Sequence, residues 1–358
     1  MPKKPLHLSD YLLLLSSGLM PPTEVTWSCW RTRNLEITRK NGRKAKNTKG
    51  GKTMFNHKFG IEIEFTGITR EKAAKVVAAF LGGTVSNIGD YYDTKKITAP
   101  DGRVWKIMSD GSINCQQKYG RERDVATKDF SCELVSPILT YREDINIIQE
   151  LVRKLRKAGA FANDSCGIHI HLDNSGHTPR SIRNFVNIIA SKNDLFYKAL
   201  QIPEKRMNYC KKMDAILVDK LNKHKPKTMT AIEQIWYEGY SESQDRHYHN
   251  SRYHFLNLHS FFTGHHTIEL RGFNAADEKG NLHAGKIRSY IILSLALNNQ
   301  ALTQKSASAR KPQTENEKFA MRTYLNRIGF IGDEFKNCRE HLTAHLGGSA
   351  AWRFRTAA

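Results

Sequence analysis

Residues 58–65 read KFGIEIEF, in which apolar residues alternate with two glutamates. Strict alternation is typical of a β-strand with one buried face, so this stretch predicts a strand. On that strand Glu62 and Glu64 point to the same face, about 7 Å apart along the chain. Two carboxylates at this spacing repel each other, so this face of the strand is either solvated or bound to cations.

Three further stretches repeat this arrangement: CGIHIHLD, HTIELRGF and SCELVSP. In each of them, ionisable side chains alternate with apolar or small residues. A single stretch of this kind is usually a solvated face or a salt bridge, but four such strands in one sheet would share a strongly charged face. We expect that face to hold seven ionisable side chains, namely Glu62, Glu64, Glu133, His169, His171, Glu269 and Arg271.

So many carboxylates at close quarters require cations. Sites dominated by carboxylates suit hard ions such as Mg²⁺ or Mn²⁺, and no thiolate accompanies these ligands, which argues against structural zinc. Protein-bound Mg²⁺ usually completes its shell with water and nucleotide phosphates. Arg271, two residues after Glu269, is then well placed to stabilise charge on a transferred phosphoryl group.

The composition restricts the class of protein. At 358 residues the chain can bury a core large enough for an enzyme, and its hydrophobic share of 39% is that of a soluble globular protein. A net charge of +21 favours anionic partners such as nucleotides, carboxylates or nucleic acid. The six cysteines form no CxxC pair and no window reaches about 18 apolar residues, so we expect a cytoplasmic protein.

The sequence between the charged strands predicts helices. Thr69 is placed to cap a helix through EKAAKVVAAFL that Gly82 ends, and Thr178 followed by Pro179 predicts another helix start. Strands with intervening helices, many of the strands short, indicate an α+β fold. Further helices are expected over about residues 142–157 and 285–304, with two more from about residue 315. Further strands are expected in RVWKIMSDGSI (103–113) and YHFLNLHSFF (253–262).

The ordered set of motifs resembles the amidoligase family, a branch of the carboxylate–amine ligases related to glutamine synthetase and glutamate–cysteine ligase. The resemblance covers roughly residues 55–305. Six motifs carry it, in the family's order: FGIEIEF, SDGS (109–112), CELVSP, GIHIHLD, RYHFLNL (252–258) and TIELRGFN. It implies a glutamine synthetase-like core, in which a curved, mainly antiparallel sheet binds ATP and two or more Mg²⁺ ions on its concave face and carries helices on its convex side.

The composition along the chain, together with the extent of the resemblance, predicts a domain organisation. Residues 1–54 would be a basic, flexible arm, and residues 1–58 contain 12 Lys and Arg against three acidic residues. Residues 55–305 would form the catalytic domain, with an insertion at its rim over 201–250. Residues 306–358 would form a C-terminal helical extension.

The metal ligands follow from the resemblance residue by residue. It implies that Glu62, His169 and Glu269 share one metal, and that Glu64 binds the other together with Glu133. Glutamine synthetase uses two downstream glutamates at the second metal, whereas this sequence offers a single clear candidate. The ligand set of the second metal is therefore incomplete.

The resemblance assigns the remaining site residues to the nucleotide and to catalysis. His171 is expected near the nucleotide phosphates, together with Ser112. Arg271 is expected to contact the transferred phosphoryl group. Asp110 and Arg252 are expected as further catalytic residues.

The implied activity is ATP-dependent amide bond formation through an acyl phosphate. The cofactors would be ATP and Mg²⁺, with Mn²⁺ as the alternative ion. The substrates would be an amine and a carboxylate on a peptide, a cell-wall precursor or a small amino compound, with no membrane partner. The oligomeric state stays open, and a homo-oligomer is one of the alternatives.

Two other functions remain open at the level of sequence. A metal-dependent hydrolase would use His169 and His171 to activate water, but this function gives the glutamates and Arg271 no clear part. A nucleic-acid-binding protein would use the basic arm, and its binding would fall steeply with salt.

Overall fold

The computed structural model of the protein describes residues 54–263, 266–312 and 314–352. Apart from Met54, the arm predicted over residues 1–54 lies outside the described residues. The α-helices are α1 (Arg70–Leu81), α2 (Tyr141–Lys157), α3 (Pro179–Leu200), α4 (Ala215–His224), α5 (Met229–Tyr237), α6 (His259–Phe262), α7 (Ala284–Thr303), α8 (Glu317–Arg327) and α9 (Lys336–Thr343). The strands are β1 (Lys58–Phe65), β2 (Thr84–Asn87), β3 (Lys95–Thr98), β4 (Val104–Met108), β5 (Gln116–Tyr119), β6 (Glu122–Val125), β7 (Cys132–Val135), β8 (Leu139–Thr140), β9 (Gly167–Asp173), β10 (Leu256–Asn257) and β11 (Thr267–Asn274).

In the described part of the chain, nine strands form one sheet in the order β10-β11-β9-β1-β7-β4-β3-β2, with β8 paired to β1. All the pairings between these strands are antiparallel. Strands β5 and β6 form a separate hairpin. The prediction of an α+β fold with a mainly antiparallel sheet is confirmed. Among the described residues, none of the helices combines the length and apolar character that crossing a membrane requires.

The two faces of the sheet differ in chemistry because its central strands alternate. In β1, Phe59, Ile61 and Ile63 are buried and belong to the hydrophobic core. Glu62 and Glu64 point the other way, as the period of two requires. We call the side with the isoleucines the apolar face and the side with the glutamates the polar face.

Helix α1 begins and ends at the residues that the sequence predicts, and helix α3 begins at its predicted residues. The side chain of Thr69 caps α1, and Gly82 ends it in the left-handed conformation, with φ of 68°. Thr178 caps α3, and Pro179 occupies its first turn. Helix α1 packs against β3 and β4, and the long helix α7 packs against α2, α3 and α9. These helices cover strands whose apolar side chains would otherwise face water.

The prediction of a continuous strand over 253–262 is wrong. Only Leu256–Asn257 forms a strand, and His259–Phe262 is a short helix. The cause lies in Asn257, whose side-chain oxygen accepts a hydrogen bond from the His259 backbone N–H at 2.8 Å. Asparagine side chains compete in this way with strand pairing, so the chain turns there.

The strand predicted over 103–113 is also shorter, since it covers only Val104–Met108. Beyond it, the Asp110 side chain accepts a hydrogen bond from the Ser112 backbone N–H at 2.6 Å, which forms a turn. The polar segment 201–250 contains α4 and α5, which the sequence pattern did not predict.

Candidate active site

The antiparallel register places most of the predicted ionisable side chains next to one another. Glu62 on β1 lies opposite His169 on β9, and Glu64 lies opposite Glu133 on β7. On the far side of β9, His171 lies opposite Glu269 on β11. Directly opposed residues of an antiparallel pair point to the same face. Three strand pairings thus gather these side chains on the polar face.

Glu62 lies between the two histidines of β9. Its Oε2 atom is 2.9 Å from His169 Nδ1, and its Oε1 atom is 3.2 Å from His171 Nε2. Burial opposes ionisation of Glu62, but attraction to His171 and hydrogen bonding to His169 outweigh it and hold the pKa of this carboxyl well below its usual value. Glu62 is therefore an ionised ligand candidate at the middle of the site.

A second group of carboxylates lies towards β7 and consists of Glu64, Glu133 and Asp110. Glu64 accepts a hydrogen bond from the Gly167 backbone N–H at 2.5 Å. Burial, together with repulsion from Glu62 and Glu64, raises the pKa of Glu133 well above its usual value. A cation bound here would therefore relieve the repulsion that disfavours a charge on Glu133.

Glu269 and Arg271 form an ion pair that is almost completely buried. The second carboxylate oxygen of Glu269 accepts a hydrogen bond from Asn257 Nδ2 at 2.6 Å, and Arg271 Nε donates to the Tyr209 carbonyl at 3.3 Å. Burial opposes ionisation of Glu269, but attraction to Arg271 and His171 lowers the pKa of Glu269 to about 2. The pair is therefore charged throughout the physiological range of pH.

Among the described residues, three overlapping groups have the composition of a site for divalent cations, because in each group one donor atom from every side chain lies within 4.8 Å of the others. Their donors are carboxylate oxygens with at most one imidazole, the set that hard cations prefer. The mutual repulsion around Glu133 gives such a cation a physical role. The residues present therefore fit Mg²⁺ or Mn²⁺. The groups are Glu62 with His171 and Glu269, Glu62 with Glu133 and His169, and Glu64 with Asp110 and Glu133.

The two histidines are distributed differently from the implied ligand set. The resemblance joins His169 to Glu62 and Glu269, whereas here His171 is grouped with those two glutamates and His169 with Glu62 and Glu133. His169 Nδ1 still lies 3.8 Å from Glu269 Oε1. The assignments of His169 as a metal ligand and of His171 to the nucleotide phosphates both stay predictions.

Two other predicted residues lie at the edge of the centre. The Ser112 hydroxyl donates to the same Asp110 oxygen as its backbone N–H does, so Ser112 orients this carboxylate. Arg252 lies in a turn of 3₁₀ helix, with its guanidinium 5.4 Å from the centre of the Tyr248 ring, and it donates to the His247 carbonyl. Both of these contacts of Arg252 are with residues of the 201–250 segment.

Two site residues were missed at the level of sequence. Asn257 lies opposite Glu269 in the strand register and holds its carboxylate. An asparagine between two leucines of the RYHFLNL motif was the signal for it. Arg206 is buried and donates to the backbone carbonyls of Arg271 and Phe273. It had no signal, because it lies in a polar segment without periodicity.

Comparison of the sequence with known protein families agrees with the resemblance that the ordered motifs indicate. A family model described as "Putative amidoligase enzyme" matches residues 56–298, which is more than half of the chain and includes every predicted site residue. A comparison with curated proteins found no match. The chain belongs to this amidoligase family, whose description indicates an enzyme with ligase activity.

Proposed function

We propose that this protein is an ATP-dependent carboxylate–amine ligase that forms an amide bond through an acyl phosphate. The observation that carries the proposal is the juxtaposition of three overlapping carboxylate and imidazole groups with one buried arginine on the same sheet face. Carboxylate-held Mg²⁺ and a fixed arginine are the recurring parts of phosphoryl-transfer sites. A hydrolase using the two histidines alone would leave Arg271 without a task.

Glu62, Glu64, Glu133 and Glu269 would hold the metal ions, together with His169 of β9. Bound Mg²⁺ would neutralise these carboxylates and provide a positively charged surface for nucleotide phosphates. The protein's own part is to fix the positions of the ligands. The side chains stand on paired strands, and Gly167 and Asn257 hold the carboxylates of Glu64 and Glu269.

Arg271 is the residue we assign to the transferred phosphoryl group. In the first step, a carboxylate oxygen of the substrate forms a bond to the γ-phosphorus while the bond to the ADP oxygen breaks. Negative charge on the phosphoryl oxygens is then stabilised by the Arg271 guanidinium, which can donate two parallel hydrogen bonds. His171 lies one strand away from Arg271 and is assigned to the neighbouring phosphates.

In the second step, the amine nitrogen forms a bond to the acyl carbon, and the bond from that carbon to the phosphate oxygen breaks. Phosphate leaves, and the nitrogen gives up a proton to a base. Asp110 is our candidate for this base, because it is half-buried and belongs to the same group as Glu64 and Glu133. Ser112 keeps the Asp110 carboxylate in place.

Calorimetry of ATP binding, with Mg²⁺ and after chelation, tests the proposal. We expect ATP to bind only with the metal, since bare carboxylates repel the triphosphate. Glu62→Gln should weaken binding, whereas Glu122→Gln, in the exposed β5–β6 hairpin, should leave it unchanged. Equal affinity with and without the metal would contradict the proposed site. Phosphate release from ATP, screened over pairs of carboxylates and amines, would then identify the substrates.

A further inference from the structure

The polar face of the sheet continues beyond the acidic centre to a pair of lysines. Val135 on β7 lies opposite Glu62 on one side and opposite Lys106 of β4 on the other. Lys106 in turn lies opposite Lys96 of β3. This row of side chains therefore leads directly from the candidate metal ligands to two cations.

The arrangement of these two lysines is unfavourable in the absence of a ligand. Directly opposed residues have Cβ atoms about 4.5–5.5 Å apart, and like charges in such pairs destabilise a sheet. Lys106 is exposed and Lys96 is half-buried, and within the described ranges neither ammonium group forms an ion pair. The neighbouring Lys95, by contrast, is held by Asp93 at 2.7 Å. An anion above Lys96 and Lys106 would relieve their repulsion.

The position of the lysines relative to Arg271 indicates which anion they meet. Arg271 and His171 stand on β11 and β9, on one side of Glu62, and the two lysines stand on the other side. In phosphoryl transfer the attacking and leaving oxygens are roughly in line. If Arg271 and His171 hold the nucleotide phosphates, the acceptor approaches from the side of β7, β4 and β3.

We propose that Lys96 and Lys106 bind a second carboxylate of the acceptor substrate. The substrate is then an acid with at least one carboxylate besides the one that reacts, such as an acidic peptide. Adjacent strands are about 4.8 Å apart, so the Lys106 backbone lies about 10 Å from that of Glu62. The flexible side chain of lysine covers part of this distance. The remaining distance matches the separation of two carboxylates on neighbouring residues of a short peptide. This assignment rests on the ligase function proposed above.

The test is calorimetry with triglutamate and trialanine as probes, in the presence of Mg²⁺ and a non-hydrolysable ATP analogue. We expect the wild-type protein to bind triglutamate at least about tenfold more tightly than trialanine, with a preference that falls as salt is added. The double variant Lys96→Gln/Lys106→Gln should lose this preference and still bind the nucleotide analogue normally.

Lys154→Gln/Lys157→Gln is the matched control, because it removes the same charge from two exposed lysines of α2. This control variant has the same net charge as Lys96→Gln/Lys106→Gln, so the long-range electrostatic field of the two variants is comparable. It should keep the preference for triglutamate. Equal binding of the two peptides by the wild-type protein, or equal behaviour of the two double variants, would overturn the assignment. Weaker nucleotide binding in Lys96→Gln/Lys106→Gln alone would also overturn it, because the lysines would then bind phosphate. Failure of the wild-type protein to bind the nucleotide analogue would contradict the ligase function itself. The assignment of Lys96 and Lys106 would then be contradicted as well.

Discussion

The guanidinium of Arg206 lies directly against the backbone of Gly167, at the start of β9. A Cβ atom at Gly167 would be only 2.2 Å from Arg206 Nη2. The same guanidinium donates to the carbonyls of Arg271 and Phe273, where the pairing of β11 with β9 is interrupted. The Gly167 N–H in turn donates to Glu64. This contact therefore links a candidate metal ligand on one side to Arg271 on the other.

Replacing Gly167 by alanine should disturb both sides of this link. The methyl group would displace a buried guanidinium that donates hydrogen bonds to two backbone carbonyls, and overpacking of this kind costs about 1–3 kcal/mol of unfolding free energy. Denaturant unfolding measures this loss. Gly60→Ala is the control in the same sheet, because its Cβ would meet His171 Cβ at an ordinary 3.8 Å. A loss in Gly167→Ala no larger than that in the control would contradict the steric role of Gly167.

Glu133→Gln should stabilise the metal-free protein and weaken its response to metal. Burial and the carboxylates of Glu62 and Glu64 disfavour a charge on Glu133, and an amide of the same size removes that repulsion. In thermal melts, we expect a higher midpoint than wild type in chelator and a smaller rise when Mg²⁺ is added. Glu122→Gln, an exposed control, should behave as wild type. A full metal response in Glu133→Gln would exclude this residue as a ligand.

The central strands could be predicted because alternation is a local property of the sequence. KFGIEIEF and GIHIHLD each show which side chains share a face, and the structure has both as strands. The order of the strands could not be derived in this way, because pairing joins residues that are far apart in the chain. Only the strand register of the structure shows that Glu62 lies between Val135 and His169.

The parts of the site that were missed have no periodic signal. Strand β3 reads KKIT and is too short to show an alternation, so Lys96 could not be placed opposite Lys106. Arg206 lies in a 3₁₀ turn of the polar 201–250 segment, where only the tertiary structure reveals its backbone contacts. Sequence patterns therefore do not predict a charged residue such as Arg206, whose partners are backbone groups far away in the chain.

His259 should make the folded state sensitive to mild acid. Its ring is buried between Tyr237, whose hydroxyl lies 2.7 Å from Nδ1, and the Arg246 carbonyl, 3.1 Å from Nε2. Because a carbonyl only accepts, Nε2 carries the proton and Nδ1 accepts from tyrosine. Burial and the neighbouring His249 lower the pKa of His259 from 6.5 to about 4.

Proton binding at His259 determines whether stability rises or falls with pH. Below pH 6.5 the unfolded chain binds a proton at His259 that the folded protein binds only near pH 4, so stability is lost as the pH falls through this window. The contribution is on the order of 2–3 kcal/mol. Denaturant unfolding at several pH values should give a shallower dependence for His259→Asn than for wild type. His224→Asn, an exposed control, should follow wild type. Identical pH dependence in His259→Asn and wild type would refute the prediction.

Arg271→Lys distinguishes a role in phosphoryl transfer from a merely structural ion pair. Lysine keeps the positive charge next to Glu269 but loses the planar fork and the hydrogen bond to the Tyr209 carbonyl. If Arg271 acts mainly on the transition state, kcat should fall by on the order of 10²-fold while ATP affinity changes little. Glu269→Gln should behave differently, because loss of a metal ligand weakens nucleotide binding itself.

The structural alternative leads to the opposite result for Arg271→Lys. A pair that only steadies β11 would, once broken, lower the melting temperature, and the folded fraction would turn over ATP at the wild-type rate. Thermal melts first establish the temperature at which each variant is fully folded, and steady-state kinetics and ATP calorimetry are then measured below it. A normal kcat in folded Arg271→Lys would remove this residue from the chemistry. A large fall in kcat with unchanged ATP affinity would place its guanidinium at the phosphoryl group, because an interaction that affects turnover without affecting binding is made in the transition state.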